Sequence, residues 1–370
     1  MKKFLILLIA LFLYSQDFTP SKVCKGCHPV IYKEYKNSMH FKSTIFRDEI
    51  HKKVFIKHPL YKKNSYKCAK CHSPTDKTLL KNIALHKKAL PDIKSIGQKE
   101  AISCAYCHRI KNIEKHAKMN KNIINEKGKY FYAYDENIKG VKKYKIKSGI
   151  FNTIEGSPFH IIDGKNEIYK NGKVCMGCHS HKQNSHGLEV CKTDYDNKSK
   201  KNCIDCHMPK ILGSFVNHKD TKTHRYHGFA GIFNNPEYLK KYIEVKVVNR
   251  SPLIIRVKNK TSHNLLLHPL RVLALKVYIY EKEKLVKILE ERFFKQFGKD
   301  GKKAAIWEAN EVLKDNTIKA NKTKDINFLI DSKNRKIKIE LGFYVVNPKI
   351  AKKLRLNRFS KFKILKIIEL

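Results

Sequence analysis

Five segments of the chain carry two cysteines three residues apart with a histidine directly after the second: Cys24/Cys27/His28, Cys68/Cys71/His72, Cys104/Cys107/His108, Cys175/Cys178/His179 and Cys203/Cys206/His207. Two thiols at this spacing reach the two vinyl groups of one porphyrin, and the adjacent imidazole becomes the proximal ligand of its iron. Composition alone would produce about 0.02 such pentapeptides in a chain of this length, so the expectation is five covalently bound c-type haems, each with its iron. Ten of the eleven cysteines are used in this way. A structural zinc site would need two cysteine pairs close together as four ligands and no histidine after each pair. A thioredoxin-like pair would occur once, and a disulfide framework would leave the five histidines unexplained.

The elements that must hold these pentapeptides fall into two regions. Residues 20 to about 231 contain every pentapeptide and sixteen of the eighteen histidines. The pentapeptides are unevenly spaced, which excludes a solenoid-like repeat. Short helices and loops are expected between them; Ile31, Tyr35 and Met39, at helical spacing, are expected to lay one helix face on a porphyrin. Residues 240 to 350 contain no cysteine and alternate apolar with polar, as in Ile337, Ile339, Leu341, Phe343 and Val345 against Lys336, Lys338 and Glu340. That is the period of a half-buried strand, and similar runs occur at 243–247, 253–257, 273–279 and 326–330. The expected fold class is therefore α+β: a mainly α-helical and loop-rich multihaem domain at 18–235, then an antiparallel β-sandwich-like domain at 236–350. The boundary is expected near Gly231 to Pro236. Residues 351–370, basic and apolar mixed, are expected as a tail, either a helix packed on the sandwich or a contact for a partner.

The chain opens Met1, Lys2, Lys3 and runs apolar from Phe4 to Tyr14, a charged stretch followed by an apolar one of secretory length. A signal peptide over 1–17 and a periplasmic destination are expected, and export agrees with haem attachment outside the cytoplasm. The formal net charge of +45 is spread over lysines in every segment. In an exported protein this points away from nucleic acid and toward a basic, solvated surface that steers acidic redox partners, periplasmic or membrane-bound, and is compatible with peripheral contact with anionic membrane.

A low-spin carrier closes the sixth position of each iron, and thirteen histidines beyond the proximal five are available. The segments CKGCHPVIYKEYKNSMHFKS, GKVCMGCHSHKQNSHGLEVCKT, NCIDCHMP and HGFAG at 227–231 resemble the cytochrome c-554 family of multihaem cytochromes. Residues 243–350 resemble the β-domain that follows the haems in many longer members. The resemblance implies that His40, in a Ser-x-His segment after the first pentapeptide, and His227, in an H-x-F-x-G segment after the last, are distal ligands. It makes His160 and His186 further candidates, and His116 completes the set of five. Family β-domains often carry Thr-Gly-His-x-Leu-Pro-Thr-Gly, where this chain has Thr261, Ser262, His263, Asn264, Leu265, Leu266, Leu267, His268. His263 keeps its place without the surrounding glycines and proline, as a candidate ligand or a cap of the domain interface.

Cys191, the remaining thiol, reads as a buried small apolar residue, with a sulfur ligand or sulfur-chemistry site as the alternative. The expected function is electron transfer through five haems in respiration. The alternative is a haem oxidoreductase acting on a small nitrogen or sulfur compound at one open iron. Every pentapeptide ends in histidine, so the Cys-x-x-Cys-Lys variant of pentahaem nitrite reductases is missing.

Overall fold

The computed structural model describes residues 18–134, 141–142, 145–147, 153–155, 157–193, 201–214, 216–266 and 268–370. The expected signal peptide at 1–17 lies outside the described residues. No helix among the described residues is long and apolar enough to cross a membrane. The chain is α+β and divides into two compact units. The first runs to Lys115 and adds Lys121–Cys178 and Cys203–Phe229; the second joins His116–Asn120 and His179–Asn202 to Ala230–Leu370.

The first unit begins with short helices, and their starts are written in the sequence. Asp48 accepts hydrogen bonds from Ile50 N and His51 N and opens helix Glu49–Lys57, which ends at His58 before Pro59. Asp76 does the same through Leu79 N for helix Lys77–Ala84. Phe55, Leu79 and Ile83 pack with Ile45, Tyr66, Ala69 and Ala89 in one small core. A second core gathers Phe18, Ala105, Tyr106, Ile110, Tyr132, Tyr169 and Val174. Helix Pro29–Asn37 stops at Ser38, which caps the next turn, Met39–Lys42, so Met39 does not continue the face expected from Ile31 and Tyr35. The residues it buries are Val30, Glu34 and Tyr35. The region is also less helical than expected. Residues 110–114 pair with 121–124, 210–212 with 223–225, and 130–132 run parallel to 161–163. Short connections with few helix-favouring residues leave backbone groups that narrow ribbons can satisfy.

The second unit follows the alternation. Strands Ile243–Arg250, Leu253–Asn259 and Thr323–Phe328 form one antiparallel sheet. Lys284–Phe293, Val272–Glu281, Lys336–Tyr344 and Phe362–Glu369 form a second, in that order. Leu273, Leu275, Val277 and Ile279 are almost wholly buried, as are Ile337, Ile339, Leu341 and Phe343 on the neighbouring strand. At about 1.5–3 kcal/mol for each buried side chain, these two strands supply a large share of the unit's stability. The C-terminal residues are not a tail. Helix Pro348–Leu354, capped by Asn347, turns at Arg355 in the left-handed region, and the chain returns as the edge strand Phe362–Glu369. The alternation of Phe362, Ile364, Lys366 and Ile368 with Lys363, Leu365, Ile367 and Glu369 has both faces apolar in part, which hid the strand period. Segment 179–202 belongs to this unit because Val190 packs against Phe297 and Ala309, and Asn184 Nδ2 donates to Ile306 O at 2.8 Å and Ala309 O at 2.7 Å.

Asn259 is a polar side chain wholly inside this unit. Its Nδ2 donates to His263 O at 2.8 Å and Lys319 O at 2.9 Å, and its Oδ1 accepts from Thr261 N and Thr261 Oγ1. Asn259→Ala strands those groups and is expected to destabilise the protein by about 3 kcal/mol, read as a lower midpoint in urea unfolding followed by circular dichroism.

Candidate cofactor site

Each pentapeptide lies on a single helical turn. His28 N, His72 N and His108 N donate to the carbonyl of the first cysteine of their own segment, at 2.8, 3.0 and 2.9 Å. The fourth and fifth end on turns Met176–His179 and Cys203–His207. Cysteines at i and i+3 and a histidine at i+4 thus share one face of the turn. The intervening residues take the other side: Ala69, Ala105 and Tyr106 are buried in the two small cores.

The five turns are gathered together. The thiol of Cys24 hydrogen-bonds that of Cys104, Cys71 that of Cys178, and Cys175 that of Cys203. The third and fourth turns meet at Asn122, whose Nδ2 donates to Tyr106 Oη at 3.0 Å and to Cys178 Sγ at 3.5 Å. The turns therefore form one connected set, in which the third bridges the first to the fourth and the fourth touches the second and fifth. Gly177 is required there, because a Cβ would collide with the Asn122 amide. No disulfide joins the described cysteines. Burial pushes the Cys107 thiol up to about 11, so it stays protonated, which is unlike a zinc thiolate.

The ten cysteines expected as haem tethers are not placed alike, and Cys27 and Cys206 depart from the gathered arrangement. Cys27 is exposed, the one such thiol among the described cysteines, whereas Cys206 is half-buried but belongs to none of the three thiol pairs. Both are the second cysteine of a turn at an end of the set, the first and the fifth. In each of these turns it is the first cysteine, Cys24 or Cys203, that makes the contact with the next turn. A terminal turn has a neighbour on one side only, so its second thiol is left outside the pairs. The spacing of the pentapeptide treats the two cysteines as equivalent and carries no sign of this difference.

Two of the histidines face partners across a fixed gap. His28 and His160 stand with ring centres 6.3 Å apart and planes 24° from parallel; His108 and His227 stand 6.3 Å apart at 22°. An iron bound by two imidazole nitrogens at about 2 Å each, with each ring centre about 1.1 Å further, would separate the centres by about 6 Å. His108 Nδ1 donates to Tyr132 O at 2.7 Å and His227 Nδ1 to Arg225 O at 2.7 Å, so in each ring Nε2 keeps its lone pair. His72 Nδ1 donates likewise to Ser43 O at 3.0 Å. His160 Nδ1 is buried with no hydrogen-bond partner among the described residues, and Phe131 packs edge-on against its ring. Burial holds the imidazoles of His28, His108 and His160 below their ordinary range, and it pushes His227 down to about 3, with His108 adding to the effect. Neutral imidazoles in facing pairs beside protonated thiols fit a haem iron and its thioether links.

Tyr169 also stands 6.3 Å from His108, but its hydroxyl donates to Cys107 O at 2.6 Å and Ile110 O at 3.0 Å, which makes it a strut for the turn. Four other sequence candidates sit elsewhere. His40 packs edge-on against Phe229 with ring centres 4.0 Å apart. The His116 carbonyl accepts from His181 Nε2. His186 is exposed on a turn organised by Asn184. His263 Nδ1 bonds Asn264 O at 2.9 Å. Cys191 is half-buried on the strand Glu189–Lys192, and burial pushes its thiol up. Three residues near the turns were not singled out by sequence. His51 lies 4.2 Å from His72 by ring centres, about 2 Å closer than an intervening iron permits, with its ring bonded to Ser43 O and Tyr66 Oη. The Asp48 cap and the His51/Phe55 spacing could have marked it as core. Glu34 and His224 form a buried pair at 2.9 Å, for which no sequence signal exists.

No family model matches the chain, and no curated protein does. Among solved structures the chain is similar to a penta-heme cytochrome c552 from Thermochromatium tepidum. The TM-score is 0.70 and the identity 17%, over 96% of this chain and 99% of that one. The likeness is one of fold, and it spans both units.

Proposed function

We propose that this protein is an exported multihaem cytochrome c that passes electrons through five covalently bound haems. The observation that carries the reading is the single connected set of five Cys-x-x-Cys-His turns; the shared fold with a penta-heme cytochrome supports it. A haem held at each turn supplies a one-electron iron couple in a conjugated ring. The chain's own residues do the rest. The cysteines tether each ring at two points, with Cys27 and Cys206 completing the attachment at the first and fifth turns from outside the thiol pairs. His28, His72, His108, His179 and His207 bind the irons, and the contacts between turns keep neighbouring rings close. His160 closes the iron of the first site and His227 that of the third. His40, His116, His186 and His263 remain candidates for the others. The resemblance to the cytochrome c-554 family belongs to this reading, as do a periplasmic location and a role in respiration. The two C-terminal sheets are taken to close a sandwich. The large positive charge directs the protein toward acidic redox partners in the periplasm or at the membrane surface.

Mass spectrometry of protein matured with a competent attachment system should show five haems linked by ten thioether bonds; four or fewer haems would contradict the count. Reduction by an acidic donor protein should slow steeply as salt is raised, because screening cuts the field's reach to about 8 Å at physiological ionic strength. A flat salt profile would remove steering from the account.

Stability should also depend on pH. The unfolded chain protonates its histidines near pH 6.5, whereas in the folded state His227 resists protonation down to about pH 3, and His28, His108 and His160 are shifted in the same direction. Between these values the unfolded state binds more protons. The stabilisation is therefore complete above about pH 6.5 and is lost progressively as pH falls toward 3. A series of thermal melts across this window, with the midpoint dropping on acidification, is the check.

A further inference from the structure

Glu34 is a carboxylate buried in a unit short of aliphatic core, only 7% exposed. It lies on helix Pro29–Asn37, which starts at the residue after His28. Its Oε1 accepts from His224 Nε2 at 2.9 Å, and its Oε2 accepts from the backbone N–H of His227 at 2.8 Å. The far side of the His224 ring is fixed as well, with Nδ1 donating to Gly213 O at 2.6 Å. Between the two histidines, Arg225 Nη1 pairs with Asp205 of the fifth turn at 3.1 Å, and Tyr226 N donates to Pro209 O at 3.0 Å. The segment 224–227 is thus held by the helix of the first turn and by the fifth, while His227 faces His108 of the third.

We propose that Glu34 is a positioning residue for axial ligation: by gripping His224 and the His227 backbone it sets the place and tilt of the His227 ring at the third haem. The proposal rests on the reading of His227 as that haem's distal ligand. Burying a carboxylate has a desolvation penalty of several kcal/mol, which only well-made hydrogen bonds offset. Here they are spent on two points of one short segment, the backbone of the ligand residue and a side chain three residues before it. The His227 ring already has its Nδ1 tied to Arg225 O. Fixing the backbone N–H removes the remaining freedom of the peptide that carries it, so the ring's orientation is decided before any iron is bound. Glutamine can preserve this geometry, since its oxygen accepts from His227 N while its amide donates to a neutral His224 Nε2; alanine cannot.

The test compares wild-type, Glu34→Ala, Glu34→Gln and His227→Ala holoprotein by electron paramagnetic resonance and by carbon monoxide binding after reduction. His227→Ala should yield one high-spin haem that binds carbon monoxide. Glu34→Ala should shift the low-spin signal of that same haem and speed its carbon monoxide binding by about tenfold or more, the scale of losing an outer-shell partner, while Glu34→Gln restores the wild-type pattern. If Glu34→Ala does not accumulate, Glu34→Asp, with its carboxylate drawn back by one methylene, should give the same shift. A wild-type signal and rate in Glu34→Ala (or in Glu34→Asp where that replaces it), with His227→Ala high-spin, overturns the positioning role alone. Glu34→Gln behaving like Glu34→Ala also overturns it, because charge and not geometry would then be at work. A low-spin His227→Ala without carbon monoxide binding overturns the ligand reading, and the proposal with it.

Discussion

The helical turn of each pentapeptide is the constraint from which the rest follows. In the first three, the bond from the histidine N–H to the first cysteine carbonyl closes the turn and puts two thiols and an imidazole on one side. The residues between the cysteines must then point the other way, which is why Ala69, Ala105 and Tyr106 are core residues. Turn geometry therefore couples the cofactor-facing surface to the packing of the first unit, and a residue that unwinds the turn would damage both.

The two units solve the problem of burial differently. The second has continuous aliphatic strands, and Leu273 to Ile279 and Ile337 to Phe343 bury enough surface to hold it. The first has two small cores rich in tyrosine, and it spends polar groups on precise local tasks: Asn122 between the third and fourth turns, Tyr169 bracing the third, and Glu34 gripping the segment that ends in His227. Porphyrin faces bound there would add the apolar surface that its side chains lack.

What was legible in the sequence divides along the same line. The strands at 243–247, 253–257, 273–279 and 326–330 could be read because a sheet with one buried face imposes a period of two. The final strand could not, because Phe362–Glu369 is apolar on both faces in part and follows a helix that itself looks like a tail. The pentapeptides were legible because haem attachment is local chemistry, although the exposure of Cys27 against the burial of most other thiols depends on which turns become neighbours. The facing of His28 with His160 and of His108 with His227 is not local: 132 and 119 residues separate the partners, and loop paths decide which histidine arrives. Glu34 is the extreme case. It is one of many charged residues on a short helix, and only its burial beside a segment some 190 residues away distinguishes it.

The central claim is that five haems form one electrically continuous chain. Its most direct test is a mediator-free titration of the holoprotein with a one-electron donor, counting electrons taken up while haem absorbance is followed. The account predicts five equivalents per molecule, with every haem reduced without added mediators. Fewer than five equivalents, or a fraction of haem that stays oxidised until a mediator is supplied, would contradict it.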